Sequence, residues 1–307
     1  MSYHLEIGES IEKGIKRIAH EQLDSAIDEL TDDKLDPHDV VHQVRKRCKK
    51  LRGLLRLVRL SLADGVYDGE NACYRDAARQ LSYARDAQSL IETHDSLVSR
   101  YDDQLQSDVF ASIRKKLVRH RVRVTEDEVG LQHRLDEFYE KMCEAKTRVD
   151  NWKIEGKGFD SVAPGLEKTY NRGRKAMGSA YEKLSVEKFH EWRKRSKYHR
   201  YHSRLLQMIW MPLMQDRRNE AKALTDYLGE DHDLAILRKT VVDDPEEYGN
   251  KRDIQAFVAF IDRRRSQVQT QAQPLGQRLF CEPAQALSNR LRGYWDAWQY
   301  EQSLDSY

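Results

Sequence analysis

The sequence HQVRKRCK at residues 42–49 occurs a second time, with substitutions, as HEWRKRSK at residues 190–197. The two copies lie 148 positions apart, and the basic residues that follow them, at 52 and 56, also return at 200 and 204. Self-similarity at a fixed spacing indicates repeated structural units. We therefore predict two halves of similar architecture.

The basic residues of each copy follow helical spacing. Starting from the histidine, the positions advance by three, four, three and four residues, which keeps them on one face of an α-helix. Residues 42–59 contain eight Lys or Arg and no acid, so no neighbour on that helix offsets the repulsion between like charges. Most runs of charged residues are solvated helix faces, but a basic column that is repeated and free of acids favours a ligand-binding role. The two columns are His42, Arg45, Lys49, Arg52, Arg56 and His190, Arg193, Lys197, Arg200, Arg204.

The surrounding sequence predicts an all-α fold. Of 307 residues, 34% are charged and only 15 are Gly and 6 Pro, which is typical of long solvated helices. We predict one domain over residues 1–307, a duplicated helical bundle. Its pseudo-symmetric halves (9–155 and 160–302) lie around a basic groove and are joined by a Gly/Pro linker at 156–165. The predicted helices are 9–31, 37–62, 71–100, 103–124, 127–150, 166–182, 185–210, 216–229, 252–273 and 282–302.

Composition excludes several classes of protein. Mean hydropathy is −0.83, and no run approaches the roughly 18 apolar residues of a membrane span. The N-terminus lacks the regions of a signal peptide, so a cytoplasmic protein is expected. The four cysteines, at 48, 73, 143 and 281, form no C-x-x-C pair, so neither a metal site nor a disulfide framework is expected. We expect no cofactor.

The two basic helices resemble those of the CHAD family, the conserved histidine α-helical domain, whose hallmark is His-x-x-Arg-(Lys/Arg)-x-x-(Lys/Arg) in each half. The resemblance implies a helical module that binds inorganic polyphosphate in a basic groove, without catalysis, and that associates with polyphosphate granules. The Glu-x-Glu-x-Lys signature of the triphosphate-tunnel domain, which is fused to some family members, is not found in this sequence. Carried over by position, the phosphate ligands would be the ten column residues together with Lys46, Lys194, Tyr170 and Arg174.

Two other functions remain open at this stage. Basic helices neutralise phosphates whether or not bases are attached, so nucleic-acid binding is the first alternative. The second column carries Tyr198 and Tyr201, but the first has no aromatic residue on which a base could stack. The second alternative is a metal-dependent His-Asp phosphohydrolase, suggested by the doublets at 94–95 and 232–233. No complete catalytic motif is present, and we expect no enzymatic activity.

Overall fold

The computed structural model describes residues 2–101, 107–125 and 128–304. Within these ranges it contains α-helices, two short 3₁₀ turns at Gly158–Ser161 and Gln207–Trp210, and no β-strand beyond a single bridge between Leu62 and Ile154. The predicted all-α fold is confirmed. The helices are α1 (Ile11–Thr31), α2 (Pro37–Val58), α3 (Val66–Gln80), α4 (Ser82–Arg100), α5 (Ser107–Thr125), α6 (Glu128–Val149), α7 (Ala163–Glu182), α8 (Val186–Leu205), α9 (Met211–Asp243), α10 (Pro245–Tyr248), α11 (Lys251–Leu279) and α12 (Ala284–Leu304).

Side chains cap the starts of both basic helices. Asp36 accepts a hydrogen bond from the backbone nitrogen of His38 at 2.8 Å, and Pro37 occupies the first helical position. Ser185 accepts from the backbone nitrogen of Lys188 at 3.3 Å. Each cap satisfies an N–H group that has no partner inside the helix. The sequence predicts both of these helix starts correctly.

Several predicted helices have different bounds in the structure: the predicted helix 37–62 ends at Val58, for example, and the predicted helix 252–273 continues to Leu279. The predicted helix 71–100 is divided into α3 and α4 at Leu81, although no Gly or Pro stands there. The predicted helix 185–210 ends at Leu205 and is followed by a 3₁₀ turn. The predicted helix 216–229 is much longer: it begins at Met211, with Pro212 accommodated in its first turn, and continues to Asp243. The first residues of the predicted helices 103–124 and 127–150 lie outside the described ranges.

Two hydrophobic cores hold the helices together. The larger is built by α1, α2, α3 and α6 with α7, α8 and α12, and includes the beginning of α9 and the end of α11. The smaller is built by α4, α5 and α10 with the end of α9 and the beginning of α11. Each core therefore contains helices from both predicted halves. The pseudo-symmetry of the halves stays a prediction.

The segment predicted as a linker is packed against the first basic helix. Gly156 and Gly158 have positive φ angles of 87° and 52°, which favour glycine, and α7 begins at residue 163 rather than at 166. At Gly165 a Cβ atom would lie 2.0 Å from the carbonyl oxygen of Leu57, so the backbones of α7 and α2 touch. This contact fixes α7 against α2.

The two basic helices contact each other at Gly53. The Nε2 atom of His202 lies 3.1 Å from the Gly53 carbonyl oxygen, and the Tyr201 ring covers the glycine's open face. The buried face of α8 carries aromatic, His and Ser side chains, including Trp192, in place of an aliphatic stripe. The histidines and tyrosines of this helix therefore pack it, while its basic column points elsewhere.

Candidate anion-binding site

Cations of both columns come together where α2 and α8 meet. Burial, followed by the charges of Arg193 and Lys49, lowers the pKa of Lys197 to about 7. Arg200 lowers that pKa further, and Asp233 is the acid that opposes these effects. The side chain of Lys197 is therefore only partly protonated near neutral pH. An anion beside it would favour the protonated, charged form.

The α8 column forms one wall of a cavity between α4, α8 and α9. The cavity has a volume of about 450 Å³, and Arg193, Lys197 and Arg200 lie in its lining. The Nε atom of Arg193 is buried without a hydrogen-bond partner in the described part of the chain. The opposite walls carry four acids, so the lining is mixed rather than uniformly basic: Glu92, Asp226, Glu230 and Asp233.

The first basic helix exposes only part of its cations to solvent. His42, Lys46 and Lys49 are exposed, and Lys46 has a long hydrogen bond of 3.4 Å to the neighbouring Gln43 side chain. Arg45 donates to the carbonyl oxygen of Leu81 at 2.9 Å, and thus binds the chain where α3 gives way to α4.

Further along α2 the arginines bind within the protein. Arg52 donates to the side-chain oxygen of Asn71 at 3.1 Å. Arg56 is 7% exposed and donates to the Arg52 carbonyl oxygen at 2.8 Å. Within the first column, Lys49 is the residue whose charge lowers the pKa of Lys197.

The ends of the second column have other partners. The Nδ1 atoms of His190 and His232 lie 3.1 Å apart. Arg204 donates to the Gln207 side chain at 2.6 Å, beyond the cavity. Lys194 pairs with Glu191 at 2.5 Å. In the middle of the column, Arg200 has a long contact of 3.4 Å with the hydroxyl of Thr225, a cavity residue.

Two residues that the resemblance implies as ligands lie away from this cavity. Tyr170 is fully buried, and its hydroxyl donates to the carbonyl oxygens of Leu279 at 3.1 Å and Glu282 at 3.2 Å. Arg174 donates to the carbonyl oxygen of Phe280 at 3.1 Å and lines a separate hollow between α7 and α11. Both residues connect α7 to the chain that follows α11.

The sequence analysis did not place the four cavity acids at this candidate site. Glu92 is on α4 and Asp233 on α9, far from the column in sequence. Asp233 belongs to the doublet at 232–233, but no local pattern relates it or Glu92 to the basic column, because only the packing of α4 and α9 against α8 brings them together.

The His-Asp doublets are engaged in local contacts. The ring nitrogens of His94 lie 2.9 Å from an Asp95 carboxylate oxygen and 3.0 Å from the Phe110 carbonyl oxygen. His232 instead meets His190. Among the described residues, no group of three or more His, Cys, Asp or Glu side chains is arranged to hold a metal ion.

Comparison with known proteins gives one match. The family model of the CHAD domain matches residues 17–242, which include both basic columns and the linker between them. No curated protein matches the sequence. Over the residues that the structure describes, no helix is both long and apolar enough to cross a membrane.

Proposed function

Because the chain belongs to the CHAD family, whose domain is related to polyphosphate binding, we propose that it binds inorganic polyphosphate without hydrolysing it. The binding residues are Arg193, Lys197 and Arg200 of the cavity, with Lys49 of α2, whose charge acts on Lys197. The exposed His42 and Lys46 extend this surface along α2.

The observation that carries the proposal is the position of Lys197. Three cations and one acid act on this lysine, and its pKa is lowered to about 7. Burying a charged group without a counter-charge is unfavourable. Phosphate oxygens would supply the missing counter-charge and return the lysine to its charged form.

The spacing of the cations suits a linear ligand. The three cavity cations, at residues 193–200, extend over about 10 Å of helix at 1.5 Å per residue, which accommodates a few phosphoryl groups in a row. Arginine presents a planar fork of donors to phosphate oxygens, and lysine adds a mobile point charge. Of the four cavity acids, Glu230 and Asp226 already pair with Arg264 and Lys222; Glu92 and Asp233 would repel a polyanion from the α4 and α9 walls and so favour its position against α8.

A calorimetric titration tests the proposal. Long-chain polyphosphate, duplex DNA and triphosphate are each titrated at low and moderate salt into wild type and into the variant Lys49→Ala with Lys197→Ala. The matched control is Lys141→Ala with Lys239→Ala, two lysines on α6 and α9 that are not in the cavity lining.

We expect polyphosphate binding that outlasts DNA binding as salt rises, and that falls at least tenfold in the cavity variant but not in the control. Equal, salt-sensitive binding of every polyanion would instead indicate a generic basic surface and would favour the nucleic-acid alternative. Shortening of the polyphosphate on a gel after incubation would contradict a non-enzymatic role.

The proposal includes a location in the cell. Polyphosphate binding would place the protein on polyphosphate granules in the cytoplasm. A fluorescent fusion in a granule-forming host should mark granules, and the Lys49→Ala, Lys197→Ala form should be diffuse. A diffuse wild-type fusion would exclude granule targeting.

A further inference from the structure

A second group of cations lies on the side of α8 away from the cavity. Arg56 is near the end of α2, Arg59 follows that helix, Arg172 is on α7 and Arg195 is on α8. We call these four residues the arginine cluster.

Two tyrosine rings hold arginines of the cluster in place. The guanidinium carbon of Arg56 lies 4.0 Å from the centroid of the Tyr198 ring, and that of Arg59 lies 4.4 Å from the centroid of the Tyr67 ring. Arg56 is 7% exposed, and its Nε atom is buried with no hydrogen-bond partner among the described residues. The cluster thus contains a buried, unpartnered donor beside ordered guanidinium groups.

The charge of the cluster is only slightly compensated. Glu191 is the acid whose charge reaches Arg172, and its carboxylate already pairs with Lys194 and Arg195. Neither Arg59 nor Arg172 forms a salt bridge with an acid in the described ranges. Partial burial, followed by the charges of Arg195 and Arg59, lowers the pKa of Arg172. Arg59 and Arg172 thus lie among like charges without an acid partner of their own in the described ranges, which favours an anion from outside.

The cluster is separate from the cavity. At about 100° per residue, Arg195 and Tyr198 lie on the opposite side of α8 from Arg193 and Arg200. None of the four arginines is in the cavity lining. The two sites are back to back on one helix.

We propose that the arginine cluster is a second anion site, which binds a phosphoryl group carrying two or more negative charges. The planar forks of Arg59 and Arg172 would donate to its oxygens, and the charge of the nearby Arg56 would add to the attraction. A single carboxylate would neutralise too little of the cluster's charge. Such a group is offered by free inorganic phosphate compounds or by the end of a polyphosphate chain. The site stands on its own residues and does not depend on polyphosphate binding in the cavity.

The probe that tests this site is inorganic pyrophosphate, titrated into the full chain by calorimetry. The cluster variant of the protein is Arg59→Gln with Arg172→Gln. The matched control is Arg252→Gln with Arg278→Gln, two exposed arginines on α11. We expect the cluster variant to lose one binding event, or to bind there at least tenfold more weakly, while the control behaves as wild type. Unchanged pyrophosphate binding in the cluster variant would overturn the proposal.

Side-chain NMR signals place the ligand. Pyrophosphate should shift the Nε–H resonances of Arg56 and Arg59 in wild type and equally in a Lys49→Gln, Lys197→Gln variant. Absence of these shifts would also overturn the proposal. The cavity proposal fails by a different result, unchanged long-chain polyphosphate binding in that same variant. If the end of a polyphosphate chain is the natural ligand, long-chain polyphosphate should displace pyrophosphate from the Lys49→Gln, Lys197→Gln variant. If no displacement occurs, free phosphate compounds are the ligands of the arginine cluster.

Discussion

The Nδ1 atoms of His190 on α8 and His232 on α9 lie 3.1 Å apart, with their ring centroids 4.3 Å apart. A hydrogen bond between two imidazole nitrogens requires one to donate and the other to accept, so the pair cannot keep this contact with both rings protonated. Burial lowers the pKa of both rings, and that of His232 to about 3.

The histidine pair should make stability depend on pH. In the unfolded chain both rings protonate near pH 6.5, whereas the folded protein resists protonation, so stability is lost as pH falls below about 6.5 toward the lowered folded pKa values. We expect His232→Gln to reduce the loss in unfolding free energy between pH 7 and pH 4 by roughly 1 to 2 kcal/mol, after solvent screening of the partly exposed ring.

Urea denaturation across this pH range measures the effect. His133→Gln is the control, because this side chain is 73% exposed on α6. Parallel stability curves for wild type and His232→Gln would show that the pair does not titrate in this way.

Lys197→Met should stabilise the ligand-free protein and weaken polyphosphate binding. The folded pKa of this lysine is lowered from 10.5 to about 7, so wild-type stability rises with pH between about 7 and 10, where the folded form sheds a proton that the unfolded chain keeps. Methionine removes the buried charge, and we expect a gain of about 1 kcal/mol at pH 7 that shrinks by pH 9. Chemical denaturation at both values checks this, and a variant less stable than wild type at pH 7 would contradict it.

Polyphosphate binding at pH 8 should be accompanied by proton uptake. The free lysine at 197 is largely neutral at that pH, and a bound polyanion favours its charged form. Calorimetry in buffers of different ionisation enthalpy should give uptake of a substantial fraction of a proton per chain, and Lys197→Met should lose most of it. Equal uptake in both proteins would assign the proton to another group.

Gly165→Ala should be strongly destabilising, because its Cβ atom would lie 2.0 Å from the carbonyl oxygen of Leu57. Since backbone must move, we expect a loss above about 3 kcal/mol in unfolding free energy. Gly178→Ala in the same helix meets open space and should stabilise by up to about 1 kcal/mol, from helix propensity. Thermal unfolding compares the two, and similar stabilities would mean that α7 does not touch α2 here.

Tyr170→Phe separates a structural role from a ligand role. The hydroxyl binds the carbonyl oxygens of Leu279 and Glu282, so its removal should cost roughly 1 to 2 kcal/mol of stability and leave polyphosphate affinity unchanged within twofold. Denaturation and calorimetry on the same sample measure both quantities. A large fall in affinity with normal stability would restore Tyr170 to the binding site.

Local patterns predict the helices well, but they predict poorly how these helices meet. The predictions of the cap at Ser185 and of the start of α2 are correct because each depends only on adjacent residues. The break between α3 and α4 at Leu81 has no Gly or Pro to mark it in the sequence. The Leu81 carbonyl oxygen instead accepts a hydrogen bond from Arg45 of α2. Helical spacing places Lys197 on a basic face, but only the packing of α9 shows that this face also meets Asp233.

The cavity lies at the seam between the two hydrophobic cores. Its α8 wall belongs to the larger core, whereas Leu97 of α4 and Leu234 of α9 belong to the smaller one. A shift of one core against the other changes the width of the opening but leaves the rise between Arg193, Lys197 and Arg200 fixed by a single rigid helix. The packing between the two cores thus sets the width of the cavity, whereas the spacing of its basic charges is set by one helix alone.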